Sequence, residues 1–332
     1  MYSNAQEVLE QALAWRRSGK RVALLTVLDT FGASPRPPGS MAAVSEDGVV
    51  VGSVSGGCVE DDLVRAVGTG EFWQAAAPVA VREYGVNAQD RARFRLPCGS
   101  ALRVAIESRW ASEVVESAMT AMQTRHAIRR SVHFETGVSS LSSADNAPYF
   151  AEDERAFHNV LGPRYRLLVI GASELGRYLV NIAQTLDYAV TVCDPRAEYA
   201  DHWDIAATAV ARDMPDDVVN AFGCDDRTAV VAVTHDPKLD DLALMEALKT
   251  SAFYIGALGS LATNEKRRER LLGFDLTPEQ VARLRGPVGI NIGSRTPAEI
   301  AVSIAAELVQ VRREMERTPR TANASCVADT AS

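Results

Sequence analysis

The sequence predicts an α/β chain of two domains, an N-terminal α/β domain followed by a C-terminal domain built on a mainly parallel sheet. Its 332 residues, 47% of them hydrophobic, exceed what one domain of about 100–200 residues takes up. Short β-branched runs, such as Val49-Val50-Val51 and Val230-Val231, alternate with helical stretches, the order of βαβ units. Several runs end in glycine turns that open directly into helices, where α/β proteins place ligands.

The N-terminal half opens with an amphipathic helix over 4–18, with Val8, Leu9, Ala12 and Trp15 on one face. A strand over 22–28 leads into Gly32-Ala33-Ser34-Pro35-Arg36-Pro37-Pro38-Gly39, too rich in Pro and Gly to be an element. Its stiffness either holds Arg36 ready for a phosphate or carboxylate, or makes a rigid connector with a solvated arginine. Ser45-Glu46-Asp47-Gly48 between two apolar runs signals a hairpin. It delivers the chain into Gly52-Ser53-Val54-Ser55-Gly56-Gly57-Cys58-Val59-Glu60. Small residues there bare backbone N–H groups, the helix dipole favours an anion, and Cys58 near the helix start is expected to favour its thiolate. A tight strand-to-helix turn with a buried thiol accounts for the same residues. Strands over 79–84 and 101–106 flank Leu96-Pro97-Cys98-Gly99, a second thiol beside glycine. A helix over 110–123 and a strand over 128–134 follow.

From residue 136 the chain turns polar and loses periodicity, so the expected division is a first domain over 1–137, a linker over 138–162, a second domain over 163–317 and a disordered tail over 318–332. The second domain begins with a buried strand, the turn Gly171-Ala172-Ser173-Glu174-Leu175-Gly176, a helix, and a strand ending in Asp194-Pro195-Arg196. This is the order of a dinucleotide-binding Rossmann-like unit. Gly171, Ser173 and Gly176 stand in the glycine fingerprint, with Ser173 in place of the second glycine, and Asp194 stands where a ribose would lie. His235 follows a strand at its ligand-binding end, where it is either a site residue or a polar surface residue.

The net charge of -8 argues against nucleic acid as partner. Met1-Tyr2-Ser3-Asn4 has no signal-peptide pattern and no apolar run spans a membrane, so a soluble cytoplasmic protein is expected. The five cysteines are scattered without a C-x-x-C, which suggests neither a disulfide framework nor a zinc site.

Taken together, these motifs resemble the XdhC/CoxI family, accessory proteins of molybdenum hydroxylases such as xanthine dehydrogenase and carbon monoxide dehydrogenase. The resemblance rests on Gly32-Ala33-Ser34-Pro35-Arg36, the turn from Gly52 to Glu60, and Leu96-Pro97-Cys98-Gly99. In the second half it rests on Asp194-Pro195-Arg196, Tyr254-Ile255-Gly256-Ala257-Leu258-Gly259-Ser260 and Gly293-Ser294-Arg295-Thr296-Pro297-Ala298-Glu299-Ile300. It implies a chaperone that binds molybdenum cofactor (molybdopterin), assists its sulfuration by a cysteine desulfurase and delivers it to an apo-hydroxylase, with transfer rather than turnover as its chemistry. On that reading Cys58 and Cys98 approach the metal or its sulfur ligands, and Arg36, Ser55, Gly56, Gly57, Glu60, Gly99 and Arg295 complete the cofactor-binding set. Ser173-Glu174 replaces the family's usual Gly-His, and Asn291 a frequent Asp. An NAD(P)-dependent oxidoreductase relying on Asp194 is the alternative. A homodimer is the default assembly.

Overall fold

The computed structural model describes residues 5–31, 36–57, 59–74, 77–85, 101–144, 147–162, 165–205 and 208–317. The chain divides into two compact units, Tyr2–Pro163 and Arg164–Arg317.

In the first unit, strands β1 (Val22–Phe31), β2 (Met41–Ser45), β3 (Val50–Gly52), β4 (Val79–Tyr84) and β5 (Ala101–Glu107) form a sheet in the order β3-β2-β1-β5-β4. All four pairings are antiparallel, and the predicted hairpin is the β2–β3 pair, with Ala42 opposite Gly52. Central β1 is buried without alternation from Val22 to Leu28 because helices cover both faces. Ala23, Leu25 and Val27 pack toward Leu63 and Val67 of the helix Glu60–Gly68. Val22 and Leu24 face Val8 and Leu9 of the helix Ala5–Arg17 and Val115 and Met119 of the helix Ser112–Gln123.

Within 138–162, expected as a linker, three stretches are strands. Strands β6 (Ile128–His133), β7 (Ser139–Ser143), β8 (Phe150–Glu152) and β9 (Ala156–Leu161) make a second antiparallel sheet in the order β7-β6-β9-β8. The sequence hides β7 because an edge strand of mostly serines is held by backbone pairing and carries almost no apolar pattern. Its neighbours supply the core through Val132 and Phe157, with Phe150 packed against them. A buried bidentate pair ties the two sheets of this unit together: Arg130 donates to both carboxylate oxygens of Glu107 at 3.0 and 2.6 Å.

The second unit is the expected Rossmann sheet. Strands β10 (Arg166–Ile170), β11 (Ala189–Cys193), β12 (Ala209–Ala211), β13 (Thr228–Ala232), β14 (Tyr254–Ala257) and β15 (Leu284–Arg285) are parallel throughout, in the order β12-β11-β10-β13-β14-β15. Strand order reverses between β10 and β13, the switch point at which such sheets open a crevice. The helices Glu174–Thr185 and Pro297–Arg317 cover one face, and Pro215–Phe222 and Pro237–Ala247 the other. No described helix is long and apolar enough to cross a membrane.

Candidate functional site

In the first unit the turn after β3 is built around Glu60, the first residue of its helix. Glu60 Oε1 accepts from Ser53 Oγ (2.6 Å), Val54 N (3.1 Å) and Ser55 N (3.0 Å), and Oε2 accepts from Gly57 N (3.0 Å), Val59 N (3.2 Å) and Ser55 Oγ. Gly56 N goes to Ser53 Oγ at 2.9 Å. Gly56 and Gly57 lie at φ of 82° and 110°, where a side chain would be strained, and this lets successive N–H groups converge on one carboxylate. The expected nest exists, but the chain's own anion fills it. Burial pushes the Glu60 pKa up, and the hydrogen bonds from Ser53 and Ser55 outweigh it and bring it to about 2.

The turn is anchored from below and open above. Val54, Ser55 and Val59 are buried, whereas Gly56 and Gly57 are exposed. Both neighbours of Cys58 thus donate to the same Glu60 oxygen; Cys58 itself, Cys98 and Gly99 lie outside the described residues, as does the tail at 318–332. Arg36 is buried rather than solvated, with 6% of its surface exposed.

In the second unit the glycine fingerprint is half used. Gly176 is obligatory, since a Cβ there would meet the Gly171 carbonyl oxygen at 2.4 Å. Ser173 caps its helix by accepting from Gly176 N at 3.3 Å. Asp194 is fully buried: Oδ2 accepts from Ala172 N (2.8 Å) and Arg196 Nη2 (2.9 Å), and Oδ1 from Arg196 N (3.1 Å) and Nε (2.9 Å). Burial raises its pKa, but the Arg196 guanidinium and the Ala172 N–H outweigh it and hold it below the usual carboxylate range. A ribose hydroxyl would have to displace these partners, and the Glu174 carboxylate in the first helical turn opposes a pyrophosphate. These residues do not present the usual dinucleotide cradle.

His235 is exposed at φ 62° beyond β13, a left-handed conformation uncommon for a histidine. Its loop rests on a buried network. Asp240 Oδ1 accepts from Thr234 Oγ1 (2.7 Å) and Thr234 N (3.2 Å), and Oδ2 accepts from Arg267 (3.1 Å). Arg295 is exposed, and its backbone N–H and that of Thr296 donate to Glu299 Oε2 at 2.7 and 2.9 Å.

Glu60, Asp194, Asp240 and Glu299 repeat one device: a turn that offers N–H groups is closed by the chain's own carboxylate. Sequence reasoning missed it, together with Ser53, Arg196, Asp240 and Arg267 as the partners that hold the turns. For Glu299 the spacing Thr296-x-x-Glu299, a capping-box pattern, was the available signal.

Two further thiols are described. Burial pushes the Cys193 thiol up to about 12 and the Cys224 thiol to about 11, so both are protonated at neutral pH. Among the described residues no group of three His, Cys, Asp or Glu side chains could hold a metal ion.

Comparison with known proteins matches each unit separately. Residues 15–85 match the XdhC and CoxI family, and residues 167–308 match the XdhC Rossmann domain. The molybdenum cofactor insertion chaperone PaoD of Escherichia coli is 25% identical over 93% of this chain and 89% of its own length. A Bacillus subtilis protein named as a probable subunit of xanthine dehydrogenase is 25% identical over 88% of this chain and 93% of its own. A Bacillus halodurans protein, described in its crystal structure as a xanthine dehydrogenase, shares the fold with a TM-score of 0.75 at 24% identity, over 96% of this chain and 98% of that one. With both units matched in sequence order, the chain belongs to the XdhC/CoxI family.

Proposed function

We propose that the chain is a molybdenum cofactor chaperone. It binds and protects the cofactor, presents it for sulfuration by a cysteine desulfurase, and inserts it into a hydroxylase of the xanthine dehydrogenase or carbon monoxide dehydrogenase type. The observation that carries this reading is the turn at 53–60, where exposed glycines project from a base fixed on Glu60 and the residues on either side of Cys58 are both held by one carboxylate oxygen. The role named for the Escherichia coli relative, which aligns along nearly the whole chain, supports it.

The cargo carries a soft, dithiolene-bound metal, and a thiolate is the protein ligand suited to it. Cys58, with Cys98, is assigned to the metal or its sulfur ligands. Because Glu60 takes the N–H groups of Val54, Ser55, Gly57 and Val59, the turn's task is to position residue 58 rather than to hold the cofactor's phosphate. The Rossmann unit, with Asp194 committed to its own turn, serves as a platform for docking the hydroxylase and for a homodimer. The chemistry is transfer, and no turnover is required of any described side chain.

The test is reconstitution. Apo-hydroxylase, molybdenum cofactor, desulfurase and cysteine are combined with wild type, Cys58→Ala or Cys98→Ala, and the hydroxylase activity that appears is measured. Wild type should support activation and Cys58→Ala should lose most of it. Full activation with both variants would overturn the assignment.

A further inference from the structure

A second place in the first unit has the chemistry of an anion site. A cleft of about 370 Å³ is lined by Arg16, Lys20, Arg21 and Arg109 together with Trp73 and Ser108. Among the described residues, four cations and no carboxylate line it, in a chain whose net charge is -8.

The cations are not equivalent. Lys20 and Arg21 are tied to the hairpin acids, Lys20 Nζ to Asp47 at 2.5 Å and Arg21 Nε to Glu46 at 2.9 Å. Arg16 instead meets neutral acceptors: its Nη1 donates to the Trp110 carbonyl at 2.6 Å and to Ser112 Oγ at 3.2 Å, and its guanidinium lies 3.9 Å from the centre of the Trp110 ring. Burial pushes its pKa down, against a smaller opposing pull from Glu113. Arg16 is therefore a partly desolvated cation on a cleft wall, the kind of group that gains most from an anionic ligand. The Trp73 ring forms another wall, with the Arg21 guanidinium 5.1 Å from its centre, and its buried indole N–H has no acceptor among the described residues.

We infer that this cleft binds a planar bicyclic heterocycle bearing a phosphate, of purine or pterin type, with the ring against Trp73 and the phosphate among Arg16, Arg109 and Ser108. The volume lies within the range of small-molecule pockets, and an indole is a stacking partner that accepts any flat heterocycle. No described residue of the Glu60 turn lines the cleft. It does not rest on the chaperone reading, because a nucleotide would satisfy it as well as a phosphorylated pterin.

The experiment is calorimetric titration of the full-length protein with guanosine monophosphate, neopterin monophosphate, guanosine and inorganic phosphate. Saturable binding of at least one phosphorylated ring is expected, tighter than either guanosine or phosphate alone, and the tighter of the two phosphorylated rings names the source. Arg109→Gln, at an exposed position, and Trp73→Leu should each weaken binding by about fivefold or more, since a charged hydrogen bond and a stacked ring are each worth at least that. Melting temperatures of the variants check that the fold is kept; should Trp73→Leu unfold, Arg109→Gln decides alone. Absence of saturable binding by every probe, or unchanged affinity in Arg109→Gln, would overturn the inference. The chaperone reading would survive that result if molybdenum cofactor still binds to wild type.

Discussion

Replacing Glu60 with alanine is expected to cost about 3–5 kcal/mol, the upper end for a single substitution, and to abolish cofactor handling with it. The carboxylate accepts six hydrogen bonds from five residues within seven positions of it. Three of the N–H donors, those of Val54, Ser55 and Val59, belong to buried residues, and Val59 N keeps a second acceptor in Ser55 Oγ at 3.0 Å once the carboxylate is gone. Glu60→Gln keeps one acceptor oxygen and places an amide against donors, so a smaller loss of about 1–3 kcal/mol is expected. Urea unfolding followed by circular dichroism separates the two variants.

The same residue sets an acid limit. Its pKa falls from 4.5 to about 2 on folding. A depressed carboxylate stabilises the fold fully above the unfolded value, and the contribution drains away as pH falls from about 4.5 toward 2. Because Glu60 is only partly buried, solvent screening holds the stake below the full 1.36 kcal/mol per unit, at about 1–2 kcal/mol. Wild type should lose stability through that window, and Glu60→Gln should lose less.

The second large effect is expected at Arg267, in the Rossmann unit. Its side chain is 2% exposed and pairs with Asp240 at 3.1 Å and Asp241 at 2.9 Å, while donating to the Leu258 carbonyl at 2.8 Å. Arg267→Met removes the cation and leaves a buried carboxylate, already raised in pKa by burial, without its counter-charge. Breaking such a pair costs about 3–5 kcal/mol, or roughly 10 °C in melting temperature for a unit of this size. Because Asp240 also holds Thr234, amide exchange at Thr234 should speed up before the sheet opens. Asp240→Asn in the same background should recover part of the loss, since the two residues share one interaction.

The Rossmann half was legible because its physics is local. A buried run at 167–170, a glycine turn and an acid at the end of the next strand are enough to order a parallel sheet. The second sheet of the first half was hidden because Ser139–Ser143 pairs through its backbone and leaves no apolar signature. The glycine turns were read correctly as places where N–H groups converge. What fills them was not, because Asp194 reaches back 22 residues to Ala172 and only the fold brings the two together. Glu60 and Glu299 lie within four residues of the donors nearest them in sequence, so there the contact is local, although the sequence reading assigned Glu60 to the cofactor. The basic cleft draws on residues 16–22, 73 and 108–109, a separation no periodicity records.

The most direct measurement is anaerobic titration of the purified chain with molybdenum cofactor, followed by separation from free cofactor and quantification of bound pterin and molybdenum in wild type and Cys58→Ala. The account predicts stoichiometric binding by wild type and clearly weaker retention by Cys58→Ala. A wild-type chain that retains neither pterin nor metal would contradict it.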